Sequence, residues 1–134
     1  TTSLYMDAAE GAYLAFGCPY YAFSARKQLV RNRRFYPIDT GLRRVSVTRT
    51  GADRGKLFEC AVFLLLRRRF REVFYWRGSG EVDFVVERDG VPIPIQVTTQ
   101  EEPQERHVRA IDEFHAAHPR AAEAVIVTPE SYER

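Results

Sequence analysis

Two strand-like runs meet at one dipeptide, and nothing else in the chain constrains its fold as much. Glu81–Glu87 reads EVDFVVE, Val91–Thr98 reads VPIPIQVT, and Arg88-Asp89-Gly90 lies between them. Both runs are rich in β-branched residues, and Asp-Gly suits a two-residue hairpin loop whose backbone needs positive φ. The spacing predicts a hairpin. In its second strand Val91, Ile93, Ile95 and Val97 alternate with Pro92, Pro94, Gln96 and Thr98. Two prolines on one face argue for the early part of an edge, where ladder donors are not needed.

The flanking segments supply partners for the hairpin. KLFECAVFLLLRRRF from Lys56 is a long helix, apolar on nearly all sides from Leu57 to Leu66 and so expected to be largely buried. Its last turn carries Arg67, Arg68 and Arg69, with Arg71 close behind, which suits the negative end of a helix dipole. EVFYWR, residues 72–77, is a strand, and Gly78-Ser79-Gly80 turns the chain. A helix from Pro103 presents Val108, Ile111 and Phe114 on one face, and Ala124–Thr128 is a short buried strand. Upstream, apolar residues at 4, 5, 8, 9, 12, 13 and 16 predict a helix ended by Gly17-Cys18-Pro19. An extended piece is expected at Arg34–Ile38, a turn at Asp39-Thr40-Gly41, and a break at Gly51–Gly55. The expected fold is α/β (α+β): a central mixed sheet flanked by helices, in one compact domain of 134 residues. Residues 1–50 form its N-terminal helix and basic connecting segment, and 51–134 its core.

Charge is unevenly spread. Residues 1–77 hold 15 Lys+Arg and 6 Asp+Glu, while 78–134 hold 5 and 12. A basic front suggests an anion-facing side. Arg26, Lys27, Arg31, Arg33 and Arg34, interleaved with Phe23, Phe35 and Tyr36, have the composition of a nucleic-acid stripe, and equally of a solvated face or of a contact with an acidic partner. Cys18 and Cys60 have no metal or redox spacing and are expected as buried thiols in a reducing compartment. The longest apolar run, Ala61–Leu66, is too short to span a membrane. GADRGK lacks the spacing of a P-loop, so no nucleotide site is expected in this chain. His115 and His118 have metal-compatible spacing but no third ligand, and read as exposed surface residues; Tyr75 and Trp76 read as core.

Side chains alternate along a strand, so Gln96 and Thr98 share a side, and Asp83 in the paired strand can face them. Glu59 lies on the preceding helix, with Lys56 three residues earlier on the same face. These five could converge at one end of the sheet. Alternatively, Glu59 is a core acid paired with an arginine such as Arg77.

KLFECAVFLLLRRR, VFYWRGSGEVDFVVE, IPIQVT and the preceding RKQLVRNRRFYPIDTGL together resemble the domain of unknown function at the C-terminus of many archaeal and bacterial AAA+ ATPases. The resemblance implies a PD-(D/E)XK, or restriction-endonuclease-like, αβββαβ core. It further implies an N-terminal ATPase domain as partner in a longer cytoplasmic protein, and nucleic acid as ligand. Matched to that family, Glu59 is the helix acid and Asp83 the first hairpin acid. Gln96 stands where the second acid would be, and Thr98 where a lysine would be. In such nucleases the acids hold Mg²⁺ and the lysine assists the attacking water or the phosphate. Here Mg²⁺ would have Asp83, Glu59 and the neutral Gln96 carbonyl, and Lys56 could supply the missing cation. The expectation is a degenerate site in a nucleic-acid-binding module. An active Mg²⁺-dependent nuclease and a protein-interaction scaffold stand beside it as alternatives.

Overall fold

The computed structural model describes residues 2–12, 15–22, 33–38, 51–100 and 102–133. In chain order the elements are α1 (Thr2–Gly11), β1 (Ala15–Cys18), β2 (Arg34–Pro37), α2 (Gly51–Arg69), β3 (Phe74–Arg77), β4 (Glu81–Arg88), β5 (Val91–Val97), α3 (Glu105–Ala117), β6 (Val125–Val127) and α4 (Pro129–Glu133).

The expected hairpin is present. Asp89 and Gly90 have φ of 53° and 77°, the positive pair of a two-residue loop, and Arg88 pairs with Val91 across it. The sheet order is β3-β4-β5-β6, with β3–β4 and β4–β5 antiparallel and β5–β6 parallel. The helix–strand–strand–strand–helix–strand succession expected from Lys56 onward is present, followed by the short helix α4, which was not expected. α2 covers one face through Cys60, Val62, Phe63 and Leu66, which pack with Val73, Tyr75, Phe84, Val86 and Ile95. α3 covers the other through Ala110 and Phe114, which pack with Phe74, Trp76, Val82 and Val85. β1 and β2 form a separate antiparallel pair, and Tyr20 bridges to Tyr75. Cys18 and Tyr36 join the core under α2, and Tyr21 the core under α3. Both cysteines are buried thiols, outside any disulfide.

Several local expectations give way to tertiary contacts. The first helix stops at Gly11, and Ala15–Cys18 is a strand paired with β2. Helical periodicity is outweighed there by ladder hydrogen bonds and by full burial of Cys18. The expected break at Gly51–Gly55 is the first part of α2. A Gly there costs about 1 kcal/mol against Ala, which burial farther along the helix exceeds. α2 itself is only partly enclosed among the described residues, for Leu57, Phe58, Leu64 and Leu65 are half-buried. On α3 the buried positions are Ala110 and Phe114, whereas Val108 is 46% exposed. β6 is an edge strand with Val125 at the surface, not a buried one.

β5 is interior by order, contrary to the expectation of an edge. Its prolines fall before β6 joins, because β6 pairs only with Ile95–Val97. The Pro92 carbonyl accepts from Ala122 N–H, so the ring nitrogen on that same side faces away from β4 and breaks no bond of the hairpin. The turn expected at Asp39-Thr40-Gly41 lies outside the described residues.

Candidate functional site

Glu59, Asp83, Gln96, Thr98 and Lys56 all line one cavity of about 740 Å³. Its walls are the N-terminal part of α2, the β3–β4 turn, the facing ends of β4 and β5, and the start of α3. Glu81, Arg106 and His107 line it as well.

A β-bulge shapes the sheet at this point. Phe74 pairs with Val85 and Trp76 with Val82, so Tyr75 stands opposite two residues, Asp83 and Phe84. Phe84 then faces the core under α2 while Val82 faces the core under α3. The regular β4–β5 ladder ends at Phe84–Ile95, which leaves backbone groups of β4 to be satisfied in another way.

Gln96 satisfies them. Its side chain is buried, at 1% exposure. Its Oε1 accepts from Asp83 N–H at 3.1 Å, and its Nε2 donates to the Glu81 carbonyl at 2.7 Å. The carboxamide thus replaces the missing rung between the strands, with one donor and one acceptor correctly disposed. A carboxylate could accept from Asp83 N–H but would set a second oxygen against the Glu81 carbonyl.

Asp83 adds the complementary tie. Its Oδ2 accepts from Val97 N–H at 2.8 Å. Burial pushes its carboxyl up to about 7; the bond from Val97 opposes the rise, and nearby Glu59 and Glu81 add to it. Glu59 accepts from the Tyr36 hydroxyl at 2.6 Å and has Lys56 Nζ at 3.4 Å. It does not pair with Arg77, which lies beside Glu81. Burial and the contact with Glu59 hold the Tyr36 phenol far above its ordinary range. Thr98 N–H donates to the Val127 carbonyl, and its Oγ1 accepts from Gln100 N–H at 3.1 Å, closing a turn after β5. Lys56 is well exposed, with 61% of its side chain accessible.

Of the arginine stripe, Arg26, Lys27 and Arg31 lie outside the described residues. Arg33 pairs with Asp7 at 2.8 Å. Arg34 pairs with Glu81 and lies over the Tyr75 ring at 4.2 Å. Both are engaged within the chain.

Composition and spacing did not point to several participants. Glu113 on α3 receives Ser79 N–H and Ser79 O–H, each at 2.7 Å, and Gly80 N–H at 3.2 Å. These bonds hold its carboxyl below the usual range. Gly78-Ser79-Gly80 is therefore a carboxylate clamp as well as a turn. A Cβ at Gly78 would come within 1.9 Å of Glu113 Oε1, and one at Gly80 within 2.9 Å of the Ala110 Cβ. His107 Nδ1 accepts from Gln104 N–H at 3.2 Å at the start of α3. His118, expected at the surface, is buried against Tyr21 and Phe114, and burial holds its pKa below normal. His115 Nε2 lies 2.8 Å from the Ala122 carbonyl. Among the described residues no three His, Cys, Asp or Glu side chains form a group able to hold a metal ion.

Residues 54–133 match the family described as domain of unknown function DUF4143. The chain belongs to that family. It is also similar to an uncharacterized protein of Haemophilus influenzae strain Rd, with 31% identity over 98 residues, covering 72% of this chain. The matched part is 24% of that relative, so the chain spans about a quarter of its length. No solved structure matches. No helix among the described residues is long and apolar enough to cross a membrane.

Proposed function

We propose that this chain is a nuclease-like accessory module that binds nucleic acid without cutting it, carried behind an AAA+ ATPase domain in a longer cytoplasmic protein. Three features support the architecture: the αβββαβ order, the mixed sheet with a helix on each face, and the acids gathered where the hairpin strands end. The small share of the Haemophilus relative that is matched supports a larger parent protein. Two buried thiols suit a reducing compartment.

One observation carries the noncatalytic half: both ends of the Gln96 carboxamide are bonded to backbone. The residue in the place of the second hairpin acid works as a splint of the sheet. The two acids that Mg²⁺ would use each have an oxygen engaged within the chain by a hydrogen bond. Gln96 Oε1 takes the Asp83 N–H, Asp83 Oδ2 takes the Val97 N–H, and Glu59 takes the Tyr36 hydroxyl. A hard divalent cation needs several free anionic oxygens, and Gln96 offers only a neutral carbonyl oxygen that is already bonded. The donor set does not fit the ion. Thr98 brings no positive charge, and Lys56 is occupied with Glu59. Loss of a single transition-state donor costs about 100-fold or more in rate.

The test is the 134-residue chain with labelled single- and double-stranded DNA and RNA, in Mg²⁺ and at low salt. Fluorescence anisotropy should show salt-sensitive binding, and gels should show intact strands. Cleavage that disappears in Asp83→Ala would establish the active nuclease instead. Absence of binding to every nucleic acid would leave the interaction scaffold.

A further inference from the structure

We infer that the nucleic-acid backbone is held at the end of α2 and β4 that lies away from the cavity. This rests on the nucleic-acid reading above and gives it a surface. Both elements are polarised alike. α2 begins beside the cavity with Lys56 and Glu59 and ends in Arg67, Arg68 and Arg69. β4 begins there with Glu81 and Asp83 and ends in Arg88. Thirteen residues of helix separate Lys56 from Arg69, about 20 Å at roughly 1.5 Å per residue.

The two ends offer a polyanion very different surroundings. At the cavity a phosphate would meet Glu59 and Asp83, and Glu81 already paired with Arg34 and Arg77, with Lys56 and Arg106 as the cations lining the same walls. At the far end Arg68, Arg69 and Arg71 are exposed, and no ion pair with a described carboxylate engages them. Arg88 lies over the Phe70 ring at 5.7 Å, which draws the end of β4 to the end of α2. Arg67 is anchored, with its guanidinium donating to the Arg71 carbonyl and lying over Phe16. The acids nearby in sequence are Glu72, Glu87 and Asp89, and Glu87 accepts from the Tyr21 hydroxyl. Guanidinium groups suit bidentate contact with phosphate oxygens. The ligand class is therefore a sugar–phosphate backbone, contacted without reading of the bases.

The experiment measures the dependence of affinity on salt by anisotropy. For duplex DNA each phosphate contact contributes about 0.9 to the slope of log K against log salt. The triple substitution Arg68→Ala, Arg69→Ala, Arg71→Ala should lower that slope by about 2 to 3 and weaken binding at low salt. The corresponding triple lysine variant should keep most of the slope. A thermal melt checks that each variant is folded, and Arg68→Ala with Arg69→Ala is the milder fallback, expected to lower the slope by about 2. An unchanged slope in the alanine variants, with a fall in Arg26→Ala, Lys27→Ala, Arg31→Ala, would overturn this surface and leave nucleic-acid binding intact. Absence of binding by the unsubstituted chain would instead sink the functional reading itself. Displacement of duplex by poly-glutamate at matched charge concentration and ionic strength would assign the patch to an acidic protein segment and overturn the inference.

Discussion

The two ends of α2 and β4 differ in charge and in how fully their side chains are tied into the fold. At the cavity Gln96, Asp83, Glu59 and Thr98 are all bonded inside the chain. At the far end Arg68, Arg69 and Arg71 protrude without such partners among the described residues. Buried polar groups must be satisfied, so the cavity side chains are part of what holds the sheet together. Exposed arginines lose little hydration and contribute little to stability, which leaves them free for a ligand. A motif-bearing position can therefore be structural while an unremarkable helix end is the available surface.

Gln96→Glu tests this contrast most severely, because it strikes the side chain most tightly bonded at the cavity end. The new carboxylate would be buried against the Glu81 carbonyl and close to Asp83. We expect a loss of about 3–5 kcal/mol at pH 7.5, read by urea unfolding. Its folded pKa would be raised, so stability should be retained below about pH 4, the unfolded value, and lost as pH rises through the folded one. A variant as stable as the parent at pH 7.5 would show that Gln96 is not a splint.

Asp83 gives the next effect. Its folded pKa of about 7 lies above the ordinary carboxyl value. Its stabilising contribution is therefore complete below about pH 4 and is lost as pH rises towards 7, by a few kcal/mol at most. Asp83→Asn should flatten that part of the stability–pH curve while its amide oxygen can still accept from Val97 N–H. A curve of unchanged slope between pH 4 and 7 would rule Asp83 out as its source.

Tyr36→Phe should cost about 1–2 kcal/mol, because Glu59 loses a 2.6 Å hydrogen bond in a largely buried setting. The ring itself should stay stacked on Phe63, so a much larger loss in thermal melts would mean that the hydroxyl holds more than this one contact. Smallest of all is the paired substitution Arg68→Ala with Arg69→Ala. Its effect on unfolding free energy should stay within about 0.5 kcal/mol. A larger destabilisation would show that the far end, like the cavity, is part of what holds the fold.

Local chemistry made the hairpin, the helix order and much of the core legible from the amino acids. Asp89-Gly90 supports the positive φ pair, the β-branched runs favour strands, and Tyr75 and Trp76 are buried as their apolar surroundings suggested. The placement of Glu59, Asp83, Gln96, Thr98 and Lys56 around one cavity followed from strand alternation and helical spacing. The Glu113 clamp was not legible, since its partners lie 33 and 34 residues apart and nothing in the composition pairs them. Nor was Ala15–Cys18 as a strand, because its stability comes from β2 and from burial rather than from its own periodicity.

The sequence by itself determined the hairpin turn, the strands on either side of it and the helices that follow the same order, because φ preferences and apolar period act over a few residues. Only the tertiary structure decided what Gln96 and Asp83 do there. The bulge opposite Tyr75 ends the β4–β5 ladder early, and the unpaired groups of Glu81, Asp83 and Val97 then capture those two side chains. Ladder gaps depend on the register of three strands at once, which no single stretch of sequence encodes.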